Sequence, residues 1–102
     1  MSKGNLMLQA RRMQSQIQQL QESLSELRFE GAAGGGLVTV VADGRQRVHK
    51  VNINPEAVDP SDLSELADLV TAATNMAIQA SLTHSKAEMR KITGGLSLPG
   101  LS

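Results

Sequence analysis

Apolar residues recur along the first quarter of the chain at alternating steps of four and three residues. The positions that share this spacing are Leu6, Ala10, Met13, Ile17, Leu20, Leu24 and Leu27. A mean period of about 3.5 residues keeps these side chains on one side of an α-helix, as in a coiled coil. Most residues between them are polar, and glutamine, which is frequent there, is a good helix former. The spacing predicts one long helix over residues 5–27, whose narrow apolar seam needs a partner helix from the same chain or from another copy.

The middle of the chain lacks helical spacing and predicts short β-strands separated by turns. A short β-like run at 28–30 and a glycine-rich loop precede a β-branched segment at 37–42. Asp43-Gly44 is a signal for a two-residue hairpin turn, because both central positions of that turn need positive φ. Residues 45–53 then pair back until an Asn-Pro pair stops the strand. The pattern predicts a three-stranded antiparallel meander.

A second long helix is predicted over residues 61–92. Ser61 is a good N-cap, and the carboxylates of Asp62 and Glu65 suit the positive end of a helix dipole. Apolar residues continue at helical spacing through Leu63, Leu66, Val70, Ala73, Ala77 and Ala80. Gly94-Gly95 is expected to end this helix.

Together these elements predict an α+β fold in which a long helix, a three-stranded antiparallel meander and a second long helix follow one another. We expect one domain over residues 1–95 and a flexible tail over 96–102, which contains proline and glycine. The chain has 102 residues and a single aromatic one, Phe29, so a lone protomer would bury a thin core. Small domains of this kind often gain stability by forming oligomers.

The residue types present argue against catalysis, cofactors and metals. There are no cysteines, and His49 and His84 lie far apart in sequence without a partner at ligand spacing. The glycines at 34–36 lead into a strand, whereas a phosphate-binding loop leads into a helix. No nucleophile is paired with a base, so we expect neither an enzyme nor a small-molecule substrate. Without a signal-like or membrane-spanning apolar run, we expect no membrane association and a cytoplasmic location.

The chain is electrically neutral, with ten basic and ten acidic residues, but the two signs are unevenly distributed. Basic residues without acidic ones occupy residues 1–19, acidic residues without basic ones occupy 59–68, and basic residues return at 86–91. The candidates for phosphate contact are the basic side chains Lys3, Arg11, Arg12, Lys86, Arg90 and Lys91. Scattered surface charge on a solvated face is the simpler interpretation.

The direction of the two helices decides whether these basic residues meet. Antiparallel packing would gather them at one end of the protomer, but it would also bring Glu22 and Glu26 toward the acidic start of the second helix. Parallel packing would pair opposite charges instead. The sequence leaves both arrangements open.

Short stretches spread over residues 4–100 resemble the YbaB/EbfC family of bacterial nucleoid-associated proteins. The matching stretches are Gly4-Asn5-Leu6-Met7, Met13-Gln14, Gly31, Gly36-Leu37-Val38, Gly44, Val51-x-Ile53-x-Pro55, Asn75 and Gly95-x-x-Leu98-Pro99-Gly100. The resemblance implies a homodimer with protruding helices that binds double-stranded DNA and is located in the nucleoid. It also implies that basic residues of the two helices make the contact, which transfers to Arg11 and Arg12 and to Lys86, Arg90 and Lys91.

Sequence-specific readout is not expected, because the chain has no helix-turn-helix, zinc-finger or basic-zipper pattern. We therefore expect contacts to phosphates with little sequence preference. The alternative function is a protein-interaction adaptor, in which the coiled-coil-like seam of the first helix binds a helix of a partner protein. A gel-shift titration distinguishes the two, since an adaptor would not bind duplex DNA even at low salt.

Overall fold

The computed structural model describes residues 3–94 and has the predicted α+β order. Its elements are α1 (Lys3–Glu26), β1 (Arg28–Ala33), β2 (Val38–Asp43), β3 (Val48–Ile53) and α2 (Leu63–Thr93). The three strands form an antiparallel meander in the order β1-β2-β3, as predicted. The tail expected at 96–102 lies outside the described residues.

The core lies between α2 and one face of the sheet. Val38, Val40 and Ala42 alternate along β2 and are fully buried, and they pack against the fully buried Ala73 and Ala77 of α2. Strand alternation puts the three β2 side chains on one face, and alanines on the helix let the two layers approach closely. Helix α2 covers β1 and β2 with its N-terminal half.

Helix α2 and the sheet approach each other closely at Gly31 of β1. A Cβ atom at this position would lie 2.7 Å from the backbone nitrogen of Ala77 and closer still to the carbonyl oxygen of Ala73. Only a residue without a side chain leaves room for the helix backbone here. Gly31 therefore sets the spacing between α2 and the sheet.

The β2–β3 connection differs from the predicted two-residue turn. Four residues, 44–47, join the strands, and the residue with positive φ is Gln46, at 63°, while Gly44 is not among the residues with positive φ. Gly44 is needed for another reason: a Cβ there would lie 2.6 Å from the carbonyl oxygen of Leu24 in α1, which accepts a hydrogen bond from the Gly44 N–H. The long-range packing of the turn against α1 overrides the local hairpin preference.

The ends of α2 also differ slightly from prediction. Asp62, not Ser61, is the N-cap, because its carboxylate accepts a hydrogen bond from the Glu65 N–H. At the other end Gly94 adopts a left-handed conformation, with φ 64°, and its N–H donates to the Arg90 carbonyl. The glycine stop was predicted correctly.

Helix α1 extends away from the sheet rather than lying on it. The longest dimension of the molecule is 68 Å, and its radius of gyration is 18.8 Å, against about 13 Å expected for a compact domain of this size. The C-terminal end of α1 is held where the Gly44 N–H donates to Leu24, next to Ser81 of α2, whose hydroxyl donates to the Asp43 carbonyl. From this junction α1 and the last third of α2 project together.

Candidate nucleic-acid interface

The two projecting helical segments, residues 3–26 of α1 and 82–93 of α2, are called the arm below. Within the arm α1 packs on α2. The two helices run antiparallel, because α1 ends and the projecting part of α2 begins at the same junction, where Leu24 and Ser81 bind the turn after β2. Half-buried side chains of α1 at Met13, Ile17 and Leu20 mark the packed stretch. The seam predicted from the sequence therefore has a partner helix from the same chain over its inner half, while residues 3–12 are exposed throughout.

The structure resolves the helix direction that the sequence left open. Because the N-terminal part of α2, up to Ser81, lies over the sheet, the acidic start of α2 is separated from α1 by the length of the sheet, about 20 Å. Glu22 and Glu26 therefore do not meet the acidic residues at 59–68. Antiparallel packing gathers the basic residues without gathering the acidic ones.

All six basic residues predicted to contact phosphate lie on the arm, and all six are exposed. Three of them lie on α1: Lys3, Arg11 and Arg12. The two arginines are close to the outer end of the stretch that packs on α2. The other three basic residues lie on α2. The arm carries only three acidic residues, Glu22, Glu26 and Glu88. An excess of positive charge therefore occupies one end of a neutral molecule.

One of the six basic residues is partly neutralised within the arm. The Lys91 ammonium donates to the Glu88 carboxylate at 2.8 Å, and this hydrogen bond lowers the pKa of Glu88 below its ordinary value. Among residues 3–94, none of the other five candidates forms an ion pair. Lys91 is therefore the weakest of the six candidates, because a phosphate would have to compete with Glu88.

A hydrogen-bond cluster at the base of the arm was not anticipated from the sequence. Asp43 is only 4% exposed, and its carboxylate accepts hydrogen bonds from the backbone N–H groups of Arg45 and Arg47 and from the His49 ring at 2.8 Å. Gln46 adds a connection to α2, because its amide lies within hydrogen-bond distance of the Ser81 hydroxyl, at 3.1 Å. The cluster therefore links the turn between β2 and β3 to the junction from which α1 and the last third of α2 project.

The hydrogen bonds of Asp43 make the free energy of unfolding depend on pH. Burial alone would raise the pKa of this carboxyl, but the hydrogen bonds from His49, Arg47 and Arg45 together lower the pKa below its ordinary value. Because the pKa of Asp43 is lower in the folded than in the unfolded protein, the ionised carboxylate stabilises the fold at pH values above the pKa of the unfolded state. This stabilisation is lost as pH falls through the pKa of the folded state.

We expect the Asp43→Asn variant to be less stable than the unmodified protein at about pH 5, and the difference to shrink as pH is lowered and the Asp43 carboxylate of the unmodified protein becomes protonated. Urea unfolding at several pH values measures the difference. Asp68→Asn, which removes one exposed carboxylate from α2, is the control. A difference for Asp43→Asn that stays constant as pH is lowered would contradict the assignment.

The two histidines occupy structural positions. His49 binds Asp43, and the half-buried His84 ring lies 5.4 Å from the ring of Phe29, centroid to centroid, in a tilted contact. Within residues 3–94 no three potential ligand side chains form a group that could hold a metal ion. No helix in the same range is long and apolar enough to cross a membrane.

Comparison with known proteins connects this fold to a family. A model of the YbaB/EbfC DNA-binding family matches residues 1–96. The chain is 46% identical over 101 residues to a nucleoid-associated protein of Clostridium novyi, covering 99% of this chain and 89% of that protein. It is 48% identical over 99 residues to a nucleoid-associated protein of Acetivibrio thermocellus, with 96% and 88% covered.

A solved structure agrees with the architecture. The fold superposes on an uncharacterized protein from Helicobacter pylori with a TM-score of 0.83, covering 92% of this chain and 99% of that one, at 20% sequence identity. At this level of identity the likeness concerns the fold. Because the family model spans nearly the whole chain and close relatives share almost half of its residues, the chain belongs to the YbaB/EbfC DNA-binding family.

Proposed function

We propose that this protein is a nucleoid-associated protein that binds double-stranded DNA through the arms of a homodimer, with little sequence preference. The observation that carries the proposal is the collection of six exposed basic side chains on the arm, away from the acidic start of α2. Relatives named as nucleoid-associated proteins support both the DNA partner and a location in the nucleoid. The DNA-binding domain would comprise residues 1–95, and the proposed role is non-enzymatic.

The shape of the arm suits contact with the DNA backbone. The 24 residues of α1 span about 36 Å, close to the length of one turn of duplex DNA. Arginine and lysine on such a rod can reach successive phosphates, and each contact releases condensed counterions. Contacts of this kind fix position on the duplex but carry no sequence information.

A homodimer is supported by an uncovered apolar row on β3. Val48, Val51 and Ile53 are paired with the core residues of β2 and therefore lie on the sheet face that α2 covers elsewhere. Because α2 lies over β1 and β2, this row remains exposed; Val51, for example, is 44% exposed. A second copy packed here would extend the thin core and hold two arms in one particle.

Placing a charge in this row should weaken the proposed dimer. We expect Val51→Asp to raise the dimer dissociation constant by about tenfold or more, because the carboxylate would have to be buried without a partner. Sedimentation equilibrium measures the change. Asn52→Asp adds the same charge one residue away, on the opposite face of β3, and should have little effect. Equal effects of the two substitutions would remove the β3 face as the interface.

The DNA-binding proposal is tested by titrating a duplex at two salt concentrations, with the particle mass measured by light scattering alongside. We expect binding at low salt that weakens steeply as salt rises, and similar affinities for duplexes of unrelated sequence. The absence of duplex binding at low salt would favour the adaptor function, for which the exposed apolar residues near the start of α1 are the supporting observation.

A further inference from the structure

Gln46, in the turn between β2 and β3, has a backbone conformation that is uncommon for a residue with a side chain. Among residues 3–94 it is the one residue other than glycine with positive φ, at 63°. This left-handed region brings the Cβ atom too close to a carbonyl oxygen and costs free energy that glycine avoids. A glutamine at this position therefore indicates that its side chain makes contacts that offset the cost.

The half-buried side chain of Gln46 connects the turn to α2. Its amide nitrogen Nε2 donates to the Gly44 carbonyl at 2.9 Å and lies 3.1 Å from the Ser81 hydroxyl oxygen. The hydroxyl oxygen of Ser85 is 3.3 Å away from the same nitrogen. The two serines are one helical turn apart. Ser85 belongs to the arm and Ser81 immediately precedes it, so the amide lies where α2 leaves the sheet.

Both serine hydroxyls are oriented to accept from Gln46. The Ser81 hydroxyl donates to the Asp43 carbonyl, and the Ser85 hydroxyl donates to the Leu82 carbonyl at 3.1 Å. A serine hydroxyl has one hydrogen to donate and two lone pairs that accept. With their hydrogens already used, the two oxygens face Gln46 as acceptors. The two hydrogens of the amide nitrogen are therefore shared among acceptors from the turn and from α2.

The same turn also binds the other helix of the arm. The Gly44 N–H donates to the Leu24 carbonyl of α1 at 2.8 Å, two residues before the contacts of Gln46 with α2. Apart from α2, the element that α1 contacts within residues 3–94 is β2. Both helices of the arm are therefore joined to the turn between β2 and β3, through residues that are two positions apart.

A small change of direction at this junction becomes a large displacement along the arm. Arg11 lies thirteen residues before Leu24, which is about 20 Å along α1. A tilt of about 10° at the junction moves Arg11 by roughly 3.5 Å, close to the rise of one nucleotide along a DNA strand. A fixed direction of the arm therefore favours simultaneous contacts with several phosphates, because less freedom is lost on binding.

We propose that Gln46 is a positioning residue, whose side-chain amide fixes the direction of the arm relative to the sheet. Glycine would suit the left-handed backbone better, but it would leave Ser85 without its donor from the turn. The effect on arm direction is a property of the free protein. The effect on DNA affinity rests on the proposed function, because it takes the arm as the surface that binds DNA.

The test measures the direction of the arm with a pair of nitroxide labels on the full chain. Because the protein contains no cysteine, Ser15→Cys on α1 and Asn52→Cys on β3, both at exposed positions, place one label on the arm and one on the sheet. A large excess of unlabelled chain confines the measured distance to one protomer. We expect Gln46→Gly to make the distance distribution from pulsed electron paramagnetic resonance at least about twofold wider. An unchanged distribution would overturn the proposal.

Arg45→Gly is the matched control, because it adds a glycine to the same turn and leaves the Gln46 amide in place. It also keeps the backbone N–H that binds Asp43. We expect the distance distribution of this variant to keep its width. Equal widening in both glycine variants would assign the effect to flexibility of the turn and overturn the proposal.

Two further measurements separate direction from loss of structure. Labels at Ser15→Cys and Ala87→Cys both lie on the arm, and we expect their distance to be unaffected by Gln46→Gly; widening there would show that the arm itself comes apart, against the proposal. Ser85→Ala removes an acceptor instead of the donor, and alanine favours the helix. We expect a smaller widening of the arm-to-sheet distance, since Ser81 remains, and an unchanged width would overturn the role of the Ser85 contact.

Duplex affinity gives a readout that is specific to positioning. Gln46→Gly removes no charge, and an arm that has the binding direction for only part of the time binds with an affinity reduced by that fraction. We expect the affinity to fall about threefold or more, with an unchanged slope against salt concentration. An unchanged affinity or a flatter slope would overturn the positioning role in DNA binding. The absence of binding by the unmodified protein would instead contradict the proposed function, and the distance measurements would still decide the role of Gln46 in the arm.

Discussion

Gly31→Ala should lower the free energy of unfolding by about 3 kcal/mol, the upper end of what overpacking usually costs. The added methyl group would overlap the backbone of α2 at Ala73 and Ala77, and backbone atoms cannot move aside as the end of a flexible side chain can. Helix α2 would have to lift from the sheet and loosen the core around Val40, which is paired with Gly31. Urea unfolding followed by circular dichroism measures the loss.

Gly35→Ala is the control for the general effect of replacing a glycine. Gly35 has a φ of 65°, but nothing lies within 4 Å of a Cβ atom there. Its replacement should cost about 1 kcal/mol for the left-handed backbone alone. If Gly31→Ala were no more destabilising than this control, Gly31 would not set the distance between helix and sheet.

The second large effect is expected on DNA affinity, from Arg11→Ala combined with Arg12→Ala. Each phosphate contact contributes about 0.9 to the slope of log affinity against log salt concentration. If the variant and the unmodified protein bind equally at 1 M salt, the loss of two contacts makes the variant bind roughly 60-fold more weakly at 0.1 M salt. Binding to all duplex sequences should weaken about equally, and the salt dependence should become flatter. Fluorescence anisotropy over a salt series gives both quantities.

The control for this variant removes the same charge from another part of the molecule. Arg45 and Arg47 are exposed on the turn at the base of the arm, and only the backbone N–H groups of these two residues bind Asp43, so alanine preserves that cluster. We expect a much smaller loss for Arg45→Ala/Arg47→Ala. A similar loss in both double variants would point to overall charge, and an unchanged affinity of the Arg11/Arg12 variant would exclude these residues from the interface.

The order of elements could be predicted because each rests on a local signal. The four-three spacing from Leu6 to Leu24 defines α1, β-branched alternation defines β2, and Gly94 ends α2 in the left-handed conformation expected of a glycine stop. Errors occurred where tertiary contacts decide. Gly44 does lie in the turn, but without the predicted positive φ; glycine is needed there because the turn lies against α1, and no local pattern reports that contact.

The candidate interface was predictable as a set of residues but not as a surface. The basic side chains from Lys3 to Lys91 are visible in the sequence, and the structure finds all six exposed on the arm. Their proximity depends on α2 being long enough to cross the sheet and continue past it, which separates its acidic start from α1. Neither the Lys91–Glu88 pair nor the Asp43–His49 pair carries a motif that would have identified it in advance.

The separation of charge along a 68 Å molecule changes how its neutrality should be understood. Electrostatic interactions in physiological salt decay over about 8 Å, so the two ends of the protein are electrically independent of each other. A polyanion approaching the arm would experience a cation, while the acidic end would repel it. Isoelectric point and ion-exchange behaviour average over both ends and therefore underestimate the attraction of this protein to a polyanion.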